Sequence, residues 1–183
     1  MKLTVESVVE KINETIIRQL QCKTGKDLPI QDFGLASPVQ ITDEDSDSSM
    51  PAIILNSGEC YYVFSDDEYA AGFYHRLLRK GYGKAKGFGD GDIDIEISDI
   101  SLIAWGFSNQ LSMSNIDFER EIIIPSIPKH VDLLSSDFDS HRVAHSEFRN
   151  INYLNKPEEF IFSVNYRVQC KFDRKCALET NCI

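Results

Sequence analysis

Asp137, Asp139, His141 and His145 form the one cluster in the chain where imidazoles stand among carboxylates. His141 and His145 are four residues apart, the spacing at which two imidazoles share one helix face and could hold a metal ion between them. A zinc protease needs H-E-x-x-H, whereas this stretch reads H-R-V-A-H, with no glutamate to act as base. The pattern therefore assigns no catalytic residue, no metal ligand and no cofactor. A small cytoplasmic enzyme or ligand-binding protein built on this chain would draw on these four side chains. His75 has no histidine, cysteine or acid at ligand spacing beside it and reads as an ordinary surface residue.

A second stretch that invites chemistry is Gly81 to Asp92, GYGKAKGFGDGD, which holds half of the chain's ten glycines. Phosphate loops join a strand to the N-terminus of a following helix, whose free amides hold the anion. Here the order is reversed, with a helical pattern before the loop and the alternating IDIEI after it, and neither the Walker nor the Rossmann spacing is present. The expectation is a flexible loop carrying Lys84 and Lys86. The acidic run Asp43, Glu44, Asp45, Asp47 has the composition of a calcium loop but lacks its glycine and distal glutamate, so it reads as a solvated loop. The five cysteines, Cys22, Cys60, Cys170, Cys176 and Cys182, are odd in number, widely spread and without C-x₂-C knuckles, which fits reduced thiols better than a disulfide framework.

The elements that must position these residues begin with Val5, Val8, Val9, Ile12, Ile16 and Leu20, a helical stripe with Thr4 as N-cap and Glu6 in the first turn. A helix over 4–21 follows, its outer face carrying Glu10, Lys11, Glu14 and Arg18. From Lys23 to Met50 the period fades among Gly25, Pro29, Gly34 and Pro38, and loop is expected. Ala52–Leu55 and Cys60–Phe64, separated by Asn56-Ser57-Gly58-Glu59, predict a hairpin. Asp66 then caps a second expected helix, with Tyr69, Phe73, Leu77 and Leu78 inward and His75, Arg76, Arg79 and Lys80 outward, ended by Gly81. Ile93, Ile95 and Ile97, followed by Ile103, Trp105 and Phe107, fit a long bulged strand or a tight hairpin at Ser98-Asp99 equally well. Ser108–Asn115 reads as a polar connection. Phe118–Ile124 predicts a strand stopped by Pro125 and Pro128. The segment 129–155 has loosely helical spacing compatible with a short helix. Phe160 to Phe172 alternates apolar and polar residues without a break, the signature of a strand with one face buried.

Together these patterns predict one α+β domain over 1–183, with a mainly antiparallel sheet flanked by the N-terminal helix and a second helix. Long loops are expected around 42–50 and 81–92, and a frayed tail from 173. Hydrophobic residues at 42% and charged residues at 26% place the chain among globular proteins and away from disordered ones. A formal net charge of −10 argues against non-specific binding to the outside of nucleic acid or to an anionic membrane. The N-terminus has acids within its first ten residues, and no run nears about eighteen apolar residues, so neither a secretory signal nor a membrane span is expected.

The order of elements, an N-terminal amphipathic helix, a hairpin, a helix before a Gly/Lys loop, long alternating strands and a final F-x-F-x-V-x-Y-x-V strand, resembles the small α+β head-to-tail connector and tail-terminator proteins of tailed bacteriophages. The resemblance covers residues 4 to 172 and includes no diagnostic motif; the 108–117 connection and the 129–155 segment depart from it. It implies a non-enzymatic structural subunit of the virion, assembled in the bacterial cytoplasm. Copies would close into a ring around a DNA channel, beside other virion proteins and without specific nucleic-acid or membrane binding. In such a ring Lys84 and Lys86 of one copy would meet Asp43, Glu44, Asp45 and Asp47 of the next.

Overall fold

The computed structural model describes residues 4–42, 49–63, 69–86, 92–148 and 158–171. The first stripe forms α1 (Val5–Thr24). Thr4 caps it reciprocally: its hydroxyl accepts the Ser7 amide at 3.2 Å, and the Ser7 hydroxyl accepts the Thr4 amide at 3.0 Å. Gly25, in the left-handed region at φ 63°, ends it. Val5, Val8, Val9, Ile12, Ile16 and Leu20 are buried, while Glu10, Lys11, Glu14 and Arg18 face solvent.

Seven strands follow: β1 (Ile30–Thr42), β2 (Ser49–Leu55), β3 (Cys60–Tyr62), β4 (Ala71–Lys86), β5 (Asp92–Phe107), β6 (Asp132–Asp137) and β7 (Glu159–Lys171). They make one mixed sheet in the order β3-β2-β1-β4-β5-β7-β6, antiparallel except where β1 runs parallel to β4. The fold is thus α+β, with a mostly antiparallel sheet, the N-terminal helix and a few short helices. Five of those are short: α2 (Ser108–Leu111), α3 (Asn115–Phe118), the π-helical turns of Glu119–Ile123, α4 (Ile124–Ser126) and, between β6 and β7, α5 (Ser140–Glu147).

Strand β7 carries its alternation into the fold. Phe160, Phe162, Val164, Tyr166, Val168 and Cys170 lie in one core with α1, Phe73, Ile100, Leu102, Phe118 and Ile122. Fully burying an aliphatic or phenyl side chain of this kind contributes about 1.5–3 kcal/mol relative to leaving it exposed. The opposite face of the sheet buries Tyr74, Ile103, Trp105 and Ile161 against Val143, Ala144 and Phe148 around α5. The expected hairpin is present, with Ile53 opposite Tyr61 and a turn through Gly58 at φ 90°.

Three expectations about these elements are corrected. The expected loop over 23–50 contains β1, which pairs with β2 from Ala36 to Thr42 and with β4 from Ile30 to Leu35. The expected helix around Phe73 is strand β4. Its first five residues are buried on both faces, so no polar alternation marks them, and pairing on both edges outweighs their helical spacing. Phe118–Ile124 is helical: Ser114 and Asp117 form a capping box at the start of α3, and Phe118, Ile122 and Ile123 turn inward at helical spacing. Pro125 stands at the end of this continuous helical run, which stops one residue later at Ser126. Of the two readings of 93–107, the long strand is the one formed: β5 runs unbroken through Ser98-Asp99. The irregularity is on β4, where Leu78 is extra between the pairs Leu77–Ile100 and Arg79–Asp99. The Gly/Lys stretch is strand as far as Lys86 and again from Asp92; the acidic run Asp43–Asp47, 87–91 and the tail from 172 lie outside the described residues.

Candidate interaction surface

His141 and His145 both lie exposed on α5, as the i, i+4 spacing requires. The acids beside them serve the backbone and an arginine. Asp139 is the N-cap of α5 and accepts the Arg142 amide at 3.0 Å. Asp137 receives Arg142 Nε at 2.6 Å and Nη2 at 2.5 Å, which holds its carboxyl below the ordinary range. Among the described residues no group of three or more histidines, cysteines or acids is gathered in a way that could hold a metal ion. Cys22 and Cys60 are exposed free thiols, and Cys170 is a buried one.

His75, expected at the surface, is fully buried. It is the centre of a polar chain that joins four elements, α1, β1, β4 and β7. Asn13 on α1 donates through its amide nitrogen to Asp32 at 2.6 Å, which turns its oxygen toward His75 Nε2, also at 2.6 Å. That oxygen can only accept, so Nε2 carries the proton, and Nδ1 is left to accept the Tyr166 hydroxyl at 2.8 Å. Burial without a counter-charge lowers the His75 pKa to about 3, so the ring is neutral. The same burial pushes the Tyr166 hydroxyl up. No ligand could reach His75, Asn13 or Tyr166, which are 0%, 3% and 0% exposed, so the chain fixes α1 to the sheet. Across the sheet Glu147 of α5 accepts both the Tyr74 hydroxyl at 3.0 Å and Arg76 Nη1 at 3.0 Å.

Lys84 and Lys86, expected in a free loop, stand on β4 opposite Asp94 and Asp92 of β5. One turn of the pleat earlier, Lys80 pairs with Glu96 at 2.9 Å, and Arg79 and Arg167 share Asp99. Lys80 and Arg79 on this arm, with Arg167 on β7, thus pair with acids of their own sheet. Asp43, Glu44, Asp45 and Asp47, the acids expected to meet Lys84 and Lys86 from a neighbouring copy, lie outside the described residues.

What the arm and the sheet margins do expose is apolar surface on strand edges. β3 is the outermost strand on one side and presents Tyr61 and Tyr62; β6 is outermost on the other and presents Leu133 and Leu134. Past His75 the edge of β4 away from β5 has no strand neighbour among the described residues, and Leu77, Leu78 and Tyr82 are exposed there, Tyr82 by 60%. Unpaired edges are normally blunted by charge or cover, because their free N–H and C=O groups template a further strand.

No protein-family model matches the chain, and no curated protein matches its sequence. Among the described residues no helix is long and apolar enough to cross a membrane.

Proposed function

We propose that the chain is a non-enzymatic structural subunit that assembles with copies of itself, as a ring of the kind found in phage necks and tail terminators. The observation that carries the reading is the coincidence of strand edges without a strand neighbour among the described residues and exposed apolar side chains, at β3, at β6 and along the outer half of β4. Leu133 and Leu134 on one margin and Tyr61 and Tyr62 on the other suit a head-to-tail contact. A contact between two different surfaces closes into a ring when its rotation allows. The net charge of −10 suits a ring whose inner wall lets DNA pass without sticking. Such a subunit belongs to a virion and is assembled in the bacterial cytoplasm beside other virion proteins.

Light scattering on the purified chain, followed by electron microscopy of the largest species, tests this. The expected result is a discrete multimer with a central channel, reduced to monomer by the paired substitution Leu133→Lys and Leu134→Lys on the exposed edge. A chain that stays monomeric at every concentration, or that stops at a compact dimer, overturns the ring.

A further inference from the structure

The sheet splits along its own length. β1 lies beside β4 only from Ile30 to Leu35, and its register slips between Asp32 and Leu35. The slip is built by Gly34, at φ 59°, whose amide donates to the Asp32 carboxylate at 3.0 Å. Among the described residues β1 pairs with β2 alone from Ala36 onward, and β4 pairs with β5 alone from Arg76 onward. Two strand edges therefore diverge with their main-chain groups unmatched among the described residues. Pro38 stands on the first of them, a residue that strands tolerate at an edge.

A cavity lies on each side of the split. The one on the α1 side, about 330 Å³, is lined by Ser37 and Leu77 from the diverging strands and by Glu6, Lys80, Glu96 and Ser98. The one on the α5 side, about 380 Å³, is lined by Pro38, Val39, Gln40, Arg76, Ser146 and Glu147. Ser98 is 1% exposed, and its hydroxyl has no hydrogen-bond partner among the described residues. A buried hydroxyl is costly to leave unmet, and here it borders the cavity. The charges around it are uneven. Lys80 is held by Glu96 and also feels Glu6, so one lysine faces two carboxylates at this opening.

We infer that this cleft receives an extended segment of another protein chain, added between β1 and β4 as an extra strand, with a lysine or arginine side chain directed at Glu6 and Glu96. An extended main chain matches free strand edges, and its side chains alternate between the two faces, where the two cavities lie. The Ser98 hydroxyl gains a partner from the side chain or main chain that enters the first cavity. A small organic cation would occupy that cavity alone and leave both edges unmatched. The inference goes beyond the ring, because it names what one cleft takes and not how many copies gather.

Fluorescence anisotropy with labelled peptides tests it. The probes are alternating Thr/Val peptides of about ten residues, with Lys, Ala or Glu at the centre, and n-butylammonium serves as the small-cation control. The Lys-centred peptide is expected to bind, with the Glu-centred one about tenfold weaker or worse. Ser37→Trp, at an exposed position on the cleft wall, should abolish binding without loss of fold by circular dichroism. Glu6→Gln should shrink the Lys-over-Glu preference, and Ser98→Ala should weaken binding about fivefold while leaving the free protein at least as stable. The inference is overturned if no peptide binds at about 1 mM, if Ser37→Trp changes nothing, if the Glu-centred peptide binds best, or if n-butylammonium binds and the peptides do not. A monomer that binds the Lys-centred peptide would keep the cleft and remove the ring.

Discussion

The two halves of β4 are one strand with one partner, β5, along its whole length, yet they have opposite fates. Ala71–His75 lie between β1 and β5 and under helices on both faces, and all five residues are buried. Arg76–Lys86 keep β5 but lose β1, and none of them is buried. The difference comes from one bend at Gly34, which draws β1 away. Stability thus resides in the closed half, and the open half is exposed or half-exposed strand.

The sharpest way to break that contrast is to cut one side chain in each half. Phe73, fully buried beside α1, should lose about 3–5 kcal/mol on replacement by alanine, measured by chemical denaturation. Gly72→Ala comes next. A methyl group there would fall inside the Trp105 indole, and Trp105 is itself packed against Phe33 and Tyr74, so a loss of about 2–3 kcal/mol is expected. Asn13→Ala would leave His75 Nε2–H buried without its acceptor, at a loss of about 1–3 kcal/mol.

The buried imidazole also sets a pH dependence. Its pKa is lowered from 6.5 to about 3 in the fold, so between those values the unfolded chain binds the extra proton. Its contribution is present above about pH 6.5 and is lost as pH falls toward 3, with a slope of at most about 1.4 kcal/mol per pH unit. Urea titrations of the wild type and of His75→Gln, run across that window, should show the steeper decline in the wild type. Parallel pH profiles would remove His75 from the account. The smallest effect is expected in the open half, where Leu77→Ala, half-exposed, should change stability by no more than about 0.5 kcal/mol. If Leu77→Ala cost as much as Phe73→Ala, the contrast between the halves would fail.

The same contrast explains what could be read in the sequence. α1 was legible because it has one wet face, which writes a helical stripe from Val5 to Leu20. β7 was legible from its unbroken alternation from Phe160 onward, although Glu159–Val164 are buried on both faces and only the half from Asn165 has a wet face. The β2–β3 hairpin was legible from its Asn-Ser-Gly-Glu turn. β4 was misread in both halves, for opposite reasons. The closed half has no polar face to mark a period of two, and the open half is written in Gly and Lys, which suit loops. The polar chain through His75 gave no local sign, because its bonds join residues 62 and 91 positions apart. A polar Asn13 beside Ile12 on the inner face of α1 was the one trace it left. Lys84 and Lys86, expected in a flexible loop, stand on a strand at register positions opposite Asp94 and Asp92 of β5.

The central claim is that open strand edges are where this chain meets another. Hydrogen exchange along β4, read on the isolated chain and on the assembled form, tests it most directly. The account predicts that Ala71–His75 exchange slowly in both. The outward amides of Arg76–Lys86 should exchange fast in the isolated chain and slow sharply on assembly. Equal rates for Arg76–Lys86 in the two forms would contradict it, as would an open half already as protected as the closed one in the isolated chain.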